Sequence, residues 1–168
     1  MKRTVIYIAL FLITIKSVAQ NKKESYNNTR NWRYEVEGIG EGKEGTYLVK
    51  IWSYSKKPRV AIEQAKKNAI HAIIFQGYIG NNRISSQPPI CSNLEAQKLH
   101  EAFFNSFFSD KGSYMKYISI SSDGVVSDGD RIKIGKEYKI GIIVSIRKDL
   151  LRKDLESNGI IKSFGSGF

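Results

Sequence analysis

Few side chains in this sequence are of the types that carry out catalytic or metal chemistry. The chain has one cysteine, Cys91, and two histidines, His71 and His100. Cys91 is not part of a Cys-x-x-Cys pair, and neither histidine has a second ligand at metal-binding spacing along the chain. Cys91 and His100 could still meet an acid in three dimensions, which would make an enzyme or a metal-binding protein. Because no Gly-x-Ser-x-Gly nucleophile motif occurs either, neither a catalytic residue nor a cofactor is predicted.

Two loop segments contain residue types that also occur in ligand-binding loops. Segment 38–45 has four glycines, but no Gly-Lys-Ser/Thr follows them and the next element is a predicted strand. A phosphate loop needs a helix N-terminus beside its glycines, so a turn between two strands is favoured over a nucleotide site. Segment 121–130 has three aspartates, but their spacing is not that of a calcium-binding loop.

The N-terminal segment has the pattern of a signal peptide. Two basic residues open it, an apolar run follows from Val5 to Ile15, and small residues end it at Ala19. Residues 1–19 are therefore predicted to be a signal peptide cleaved near Ala19, and residues 20–31 a flexible leader, with the protein periplasmic or secreted. The apolar run is shorter than the roughly 20 residues that span a bilayer. No stable membrane span is expected after cleavage; an uncleaved anchor is the alternative.

The charge of the chain bears on its partners. The formal net charge of +11 falls to +8 once residues 1–19 are removed, because that segment contains three cations and no acid. Basic proteins are attracted to nucleic acid, lipid head groups and acidic glycans or proteins. Export argues against nucleic acid, so the expected partner is another envelope protein or an anionic envelope component. A basic surface that is merely solvated is the alternative.

One stretch organises the predicted fold, and it begins with a strand. Thr46–Tyr54 alternates along its length and is rich in β-branched and aromatic residues. Val49 and Ile51 are expected to face the helices. Leu48 and Trp52 are expected to cover the second face or to meet a partner.

A helix follows this strand. Pro58 suits a first helical turn, and apolar residues recur at helical spacing through Phe75, with Gly77 as the stop. The small side chains of Ala65 and Ala69 should let this helix lie close on the sheet. The polar side of the helix is expected to comprise Lys56, Lys57, Arg59, Glu63, Lys66, Lys67 and Asn68.

A second helix is predicted from a capping box, Ser92–Glu95, through to Ser109. Its four phenylalanines are expected in the core, or on a partner-binding patch if the helix lies at the rim. Further along, Arg131–Ile134 and Glu137–Ile146 form a predicted hairpin around Gly135 and Lys136, and residues 147–157 a final short helix. Gly141 is expected to allow close approach of a helix.

The predicted fold is a single α+β domain over residues 32–168. A mainly antiparallel sheet packs two main helices on one face, in two layers. Its strands are Trp32–Glu37, Thr46–Tyr54, Met115–Ile120, Arg131–Ile134 and Glu137–Ile146.

Several segments carry a resemblance to known proteins. They are Gly45–Tyr54, Ala61–Ala65, Asn68 with Ala69, and Leu151–Glu156 with Gly159. In these the chain resembles small uncharacterised secreted envelope proteins of Gram-negative bacteria and, more distantly, envelope lipoprotein domains. The lipid-accepting cysteine of the lipoproteins is missing. The resemblance implies an accessory or structural role in the envelope and assigns no functional residue.

The predicted function is therefore that of a non-catalytic, exported binding or scaffolding protein of the periplasm or cell envelope. Its candidate binding residues are aromatic or basic and lie on the central strand or just after it: Trp52, Tyr54, Lys56, Lys57 and Arg59. The loops 78–91 and 121–130 are further places where a binding surface is expected. The alternatives are an enzyme or metal-binding protein that uses His100 and Cys91, and a soluble modulator of a hydrolase.

Overall fold

The computed structural model describes residues 31–42, 45–93, 95–121 and 126–163. The predicted signal peptide and all but the last residue of the predicted leader lie outside these ranges. The strands are β1 (Tyr34–Glu41), β2 (Tyr47–Ser55), β3 (Ile118–Ile120), β4 (Arg131–Ile134) and β5 (Glu137–Ile146). The α-helices are α1 (Pro58–His71), α2 (Ala96–Leu99), α3 (Glu101–Phe107) and α4 (Lys148–Ser157). None of the described helices is long and apolar enough to span a bilayer.

The five strands form one antiparallel sheet. Its order is β1-β2-β5-β3, and β4 pairs with the first half of β5 on the same side as β3. The long strand β5 therefore has β2 along one edge and two short strands in succession along the other. The predicted α+β class with an antiparallel sheet is confirmed, and so are the Arg131–Ile134 and Glu137–Ile146 hairpin strands.

Helix α1 packs on one face of the sheet, against β2 and β5. Val49 and Ile51 on β2 are fully buried, as predicted, because alternate residues of a strand share a face. Ala65 and Ala69 on α1 are fully buried as well, and their small side chains allow the helix to lie close to the strands. The core beneath α1 is therefore formed by the alternate apolar residues of β2 and by the alanine side of the helix.

Two residues predicted for the polar side of α1 lie inside the protein. Asn68 is buried between the helix and β2, where its Nδ2 donates to Ser53 Oγ at 2.8 Å and its Oδ1 accepts from Gln64 Nε2 at 3.2 Å. Lys67 is also buried, with its Nζ 3.0 Å from Asp110 Oδ1. The prediction was wrong at both positions because each polar group finds a partner far along the chain, Ser53 on β2 for Asn68 and Asp110 in the turn after α3 for Lys67, which compensates its burial.

Between residues 92 and 120 the structure differs from the predicted helix and strand. The predicted capping box was wrong: α2 begins at Ala96 without a side-chain cap, and the helical segment breaks at His100. Asn93 Oδ1 instead accepts from the backbone N of Glu95, forming a local turn. The first half of the strand predicted at Met115–Ile120 belongs to a 3₁₀ helix, Ser113–Tyr117, and the second half is the strand β3.

Gly141 has a different role from the one predicted. It faces away from α1, and a Cβ added there would lie 2.9 Å from the ring of Trp52. The missing side chain therefore makes room for an indole on the second face of the sheet, and not for a helix. We call this second face, which carries the alternate residues of β1, β2 and β5 that point away from α1, the charged face.

Candidate functional site

Trp52 lies in the middle of the charged face and is held there by charged neighbours. Its Nε1 donates to Glu37 Oε1 at 2.7 Å. The ammonium groups of Lys50 and Lys139 lie 5.0 and 4.9 Å from the centroid of its ring, within the range of cation–π attraction. Only 9% of Trp52 is exposed, so the residue supports the surface above it and offers little area to a partner.

Tyr54 belongs to the same network at the end of β2. Its hydroxyl donates to the carboxylate of Glu35, which also accepts from Lys139 Nζ at 2.7 Å. The hydrogen bond from Lys139, followed by that from Tyr54, lowers the pKa of the Glu35 carboxyl. The guanidinium of Arg33 lies 4.3 Å from the centroid of the Tyr54 ring. Both predicted aromatic residues are thus parts of a connected network of charged groups.

The three predicted basic residues lie just beyond this end of β2. Lys56 and Lys57 form the connection to α1, and Arg59 is in its first turn. The connection is fixed by a hydrogen bond from the backbone N of Lys57 to Ser55 Oγ at 3.2 Å and by Pro58 at the start of the helix. All three basic residues are exposed.

The β4–β5 hairpin brings three more cations to the same end of the sheet. Ser55, the last residue of β2, is registered with Tyr138 of β5, which is registered in turn with Lys133 of β4. The turn after β4 contains Lys136, and Arg131 opens the strand with its guanidinium 5.4 Å from the Tyr138 ring centroid. We call the six exposed cations the basic end: Lys56, Lys57, Arg59, Arg131, Lys133 and Lys136.

Two of the carboxylates beside the basic end pair with cations outside it. Glu137, next to the hairpin turn, has Oε2 2.7 Å from Arg33 Nη1. Asp130, just before β4, has Oδ1 2.6 Å from Lys50 Nζ. The charge of these two acids is therefore offset by cations outside the basic end. Asp128, three residues before Arg131, is one further exposed acid against the six cations.

Two exposed isoleucines accompany these charges. Ile132 and Ile134 alternate with the cations along β4 and are 43% and 48% exposed. Being two residues apart on a strand, they point to the same face of the hairpin. The basic end therefore combines positive charge with an apolar strip.

A cleft lies at the opposite end of the sheet. It has a volume of about 470 Å³ and is bounded by the ends of β1 and β2 and by the loop that follows α1. Its lining is Gly40, Glu41, Tyr47, Tyr78, Arg83, Ile84, Ser85, Ser86 and Gln87. Tyr47 and Tyr54 are seven residues apart on β2, or about 24 Å at about 3.4 Å per residue, so the cleft is remote from the predicted binding residues.

The cleft lies in the predicted 78–91 loop region and has a polar lining. Burial, followed by the charge of Glu41, raises the pKa of the Tyr47 hydroxyl, and Lys148 Nζ lies 5.0 Å from its ring centroid. Tyr78 packs its ring against Gly38, where any side chain would overlap it. The cleft can hold a small polar molecule by hydrogen bonds, but its charges are of both signs and indicate no single ligand class.

His71 lies in a buried cluster that joins three parts of the fold. Its Nδ1 accepts from the Tyr34 hydroxyl at 2.7 Å, its Nε2 donates to Gln97 Oε1 at 3.1 Å, and Trp32 stacks on it with ring centroids 3.7 Å apart. Burial raises the pKa of the Tyr34 hydroxyl, which stays protonated and donates. Burial lowers the pKa of His71 to about 4, so the imidazole is neutral at pH 7. The cluster is a structural junction between β1, α1 and α2.

The alternative that used Cys91 and His100 finds no support in the described residues. Cys91 is buried, and its thiol points to the backbone carbonyl of Asn93 at 3.7 Å. His100 lies at the break between α2 and α3. Within the described ranges no three His, Cys, Asp or Glu side chains are grouped so that they could hold a metal ion.

Comparison with known proteins gives no relative: no family model, no curated protein and no solved structure matches this chain significantly. The assignment of a site therefore depends on the geometry of this molecule.

Sequence reasoning found half of the basic end and missed the other half. Lys56, Lys57 and Arg59 stand together in the chain, whereas Arg131, Lys133 and Lys136 are more than seventy residues away and meet them only through strand pairing. The sequence feature that could have indicated these three cations is the run Arg-Ile-Lys-Ile-Gly-Lys at residues 131–136, in which cations alternate with apolar residues before a turn.

Proposed function

We propose that this chain is an exported, non-catalytic protein that binds an anionic component of the periplasm or cell envelope through its basic end. The observation that supports the proposal is the convergence of six exposed cations at one end of the sheet, where the adjoining Glu137 and Asp130 pair with cations elsewhere. The N-terminal pattern of a signal peptide supports the location. The antiparallel pairing of β2, β5 and β4 holds the two runs of cations beside each other.

Physical chemistry supports an anionic partner over a neutral one. Clustered charges of one sign raise the local concentration of counter-charged ligands and speed their association. Exposed charges are screened beyond about 8 Å at physiological ionic strength, so the cations must approach the partner closely to contribute. The exposed hairpin strand β4 and the adjoining start of α1 allow such an approach.

Binding to a soluble polyanion tests the proposal. Dextran sulfate is titrated into the mature protein at low and at physiological salt, with binding followed by calorimetry. We expect affinity that falls with added salt, and a loss of about tenfold or more in the triple variant Lys56→Gln, Lys57→Gln, Arg59→Gln, because three contacts with the polyanion are removed.

A matched triple serves as the control. Lys116, Lys153 and Lys162 are exposed lysines outside the basic end, and Lys116 and Lys153 lie beyond the far end of β5. Their replacement by Gln lowers the net charge by the same amount and should leave most of the affinity intact. An equal loss of affinity in the two triple variants would show that binding depends only on the net charge, and it would overturn the proposed site.

A further inference from the structure

The β4–β5 hairpin has a feature that a purely electrostatic site does not need. All four residues of β4 are exposed, and within the described residues β4 pairs only with β5. Gly135 in the turn has positive φ, and a Cβ added there would have no atom within 4 Å. The turn of the hairpin is therefore open to solvent, and the exposed side chains of β4 beside it are accessible to a partner surface.

The residues of the hairpin tip, which comprises β4 and this turn, divide by chemistry. Ile132 and Ile134 point to one face, while Arg131 and Lys133 point to the other, and Lys136 lies in the turn. Amphipathic helices that lie in the interfacial region of a membrane show the same division, with an apolar face opposite a face rich in Lys and Arg. There the apolar groups leave water, and the cations remain among the lipid head groups.

From this arrangement we infer that the basic end docks on an anionic bilayer surface, with Ile132 and Ile134 entering the head-group region. The inference rests on the proposed function, because it names the anionic component that the six cations bind. A soluble polyanion would use the cations and leave the isoleucines in water. A partner strand added to β4 would meet the charged side chains of Arg131 and Lys133, and charged side chains on an edge strand oppose such pairing.

The size of the effect follows from the number of groups involved. Each Lys or Arg near an anionic leaflet strengthens binding by about fivefold. Each isoleucine is about half exposed, and burying that half in the interface should add roughly another fivefold. The two isoleucines together should therefore account for about 25-fold in the affinity for vesicles, and for none of the affinity for a soluble polyanion.

The test compares vesicles with a soluble polyanion. The mature protein is sedimented with vesicles of phosphatidylcholine alone or mixed with phosphatidylglycerol, and it is titrated in parallel with dextran sulfate. We expect binding to the mixed vesicles and little to the neutral ones. The double variant Ile132→Ser, Ile134→Ser should lose most of its affinity for mixed vesicles and keep its affinity for dextran sulfate.

The control is Leu150→Ser. Leu150 lies on α4, beyond the other end of β5, and is 47% exposed, which matches Ile134 at 48%. This variant should bind mixed vesicles as the wild type does. Because all three residues are exposed, each variant should fold, which near-UV circular dichroism verifies.

The outcomes separate the two proposals. Binding of dextran sulfate without binding of mixed vesicles would overturn the inference and leave the proposed function standing. Binding of neither would overturn both. Unchanged vesicle binding by the isoleucine double variant would overturn the role of the hairpin tip, as would self-association of the lipid-free protein that the same double variant abolishes.

Discussion

The buried His71 cluster predicts a loss of stability in mild acid. The imidazole is 8% exposed, stacks on Trp32 and is hydrogen-bonded to Tyr34 and Gln97 as a neutral ring. Protonation at Nδ1 would place a proton where the Tyr34 hydroxyl now donates, in a site shielded from water. The folded state therefore disfavours the imidazolium, while the unfolded state accepts it freely.

The magnitude follows from linkage. The pKa of His71 is about 4 in the folded protein and about 6.5 in an unfolded chain. Because the folded pKa is the lower one, the contribution is fully present above pH 6.5 and is lost as the pH falls from 6.5 to about 4. The difference between these pKa values corresponds to about 3 kcal/mol in the free energy of unfolding.

Urea denaturation at a series of pH values measures this contribution. The free energy of unfolding should decrease toward pH 4 with a slope approaching about 1.4 kcal/mol per pH unit from this residue. His71→Phe keeps an aromatic ring beside Trp32 but cannot be protonated. This variant should have a lower free energy of unfolding at pH 7, because two hydrogen bonds are lost. Its free energy of unfolding should also change less between pH 6.5 and pH 4 than that of the wild type.

The companion variant His100→Gln leaves the cluster in place and is the matched histidine replacement. Because Glu35 also has a lowered pKa, the comparison is between slopes of variants and not between absolute stabilities at pH 4. A slope in His71→Phe equal to that of the wild type would refute the reasoning, because it would show that His71 takes up its proton equally well in both states.

Three further predictions concern packing. Ala65→Leu should lower the free energy of unfolding by about 1–3 kcal/mol through overpacking against the sheet, whereas Ala102→Leu at an exposed position of α3 should change it little, as urea denaturation will show. Asn68→Ala should lower the free energy of unfolding by about 1–3 kcal/mol, because Ser53 and Gln64 each lose a buried partner. The control is Asn105→Ala at an exposed position, and equal effects of the two variants would contradict the buried network. Gly141→Ala should displace the Trp52 indole and change the tryptophan fluorescence spectrum. Gly129→Ala is the control, because no atom lies within 4 Å of the added Cβ, and it should leave the spectrum unchanged. An unchanged spectrum in Gly141→Ala would count against the close contact between Gly141 and Trp52.

The parts of the fold that could be predicted are those governed by local patterns. The β4–β5 hairpin was predicted correctly because a Gly-Lys turn separates two runs of β-branched residues. The strand β2 and the buried face of α1 followed from alternation and from the alanine spacing. In these segments the residue types alone decide which side faces the core.

The parts that could not be predicted depend on partners far along the chain. Asn68 looks like a surface residue until Ser53 is placed beneath it. The segment around residues 113–117 alternates like a strand but forms a 3₁₀ helix in which Tyr114 and Tyr117 are buried. The polar cleft needs the loop after α1 to fold back toward the end of β1, and nothing in the local sequence indicates that approach.

The central claim is that two distant runs of cations act as one binding surface. The decisive measurement is the affinity for dextran sulfate of three proteins: the Gln triple at Lys56, Lys57 and Arg59, the Gln triple at Arg131, Lys133 and Lys136, and the variant that combines all six changes. We predict that each triple weakens binding by a similar factor and that the combined variant retains little salt-dependent affinity. A hairpin triple that binds as tightly as the wild type would contradict the claim, because the hairpin would then lie outside the surface that the polyanion contacts.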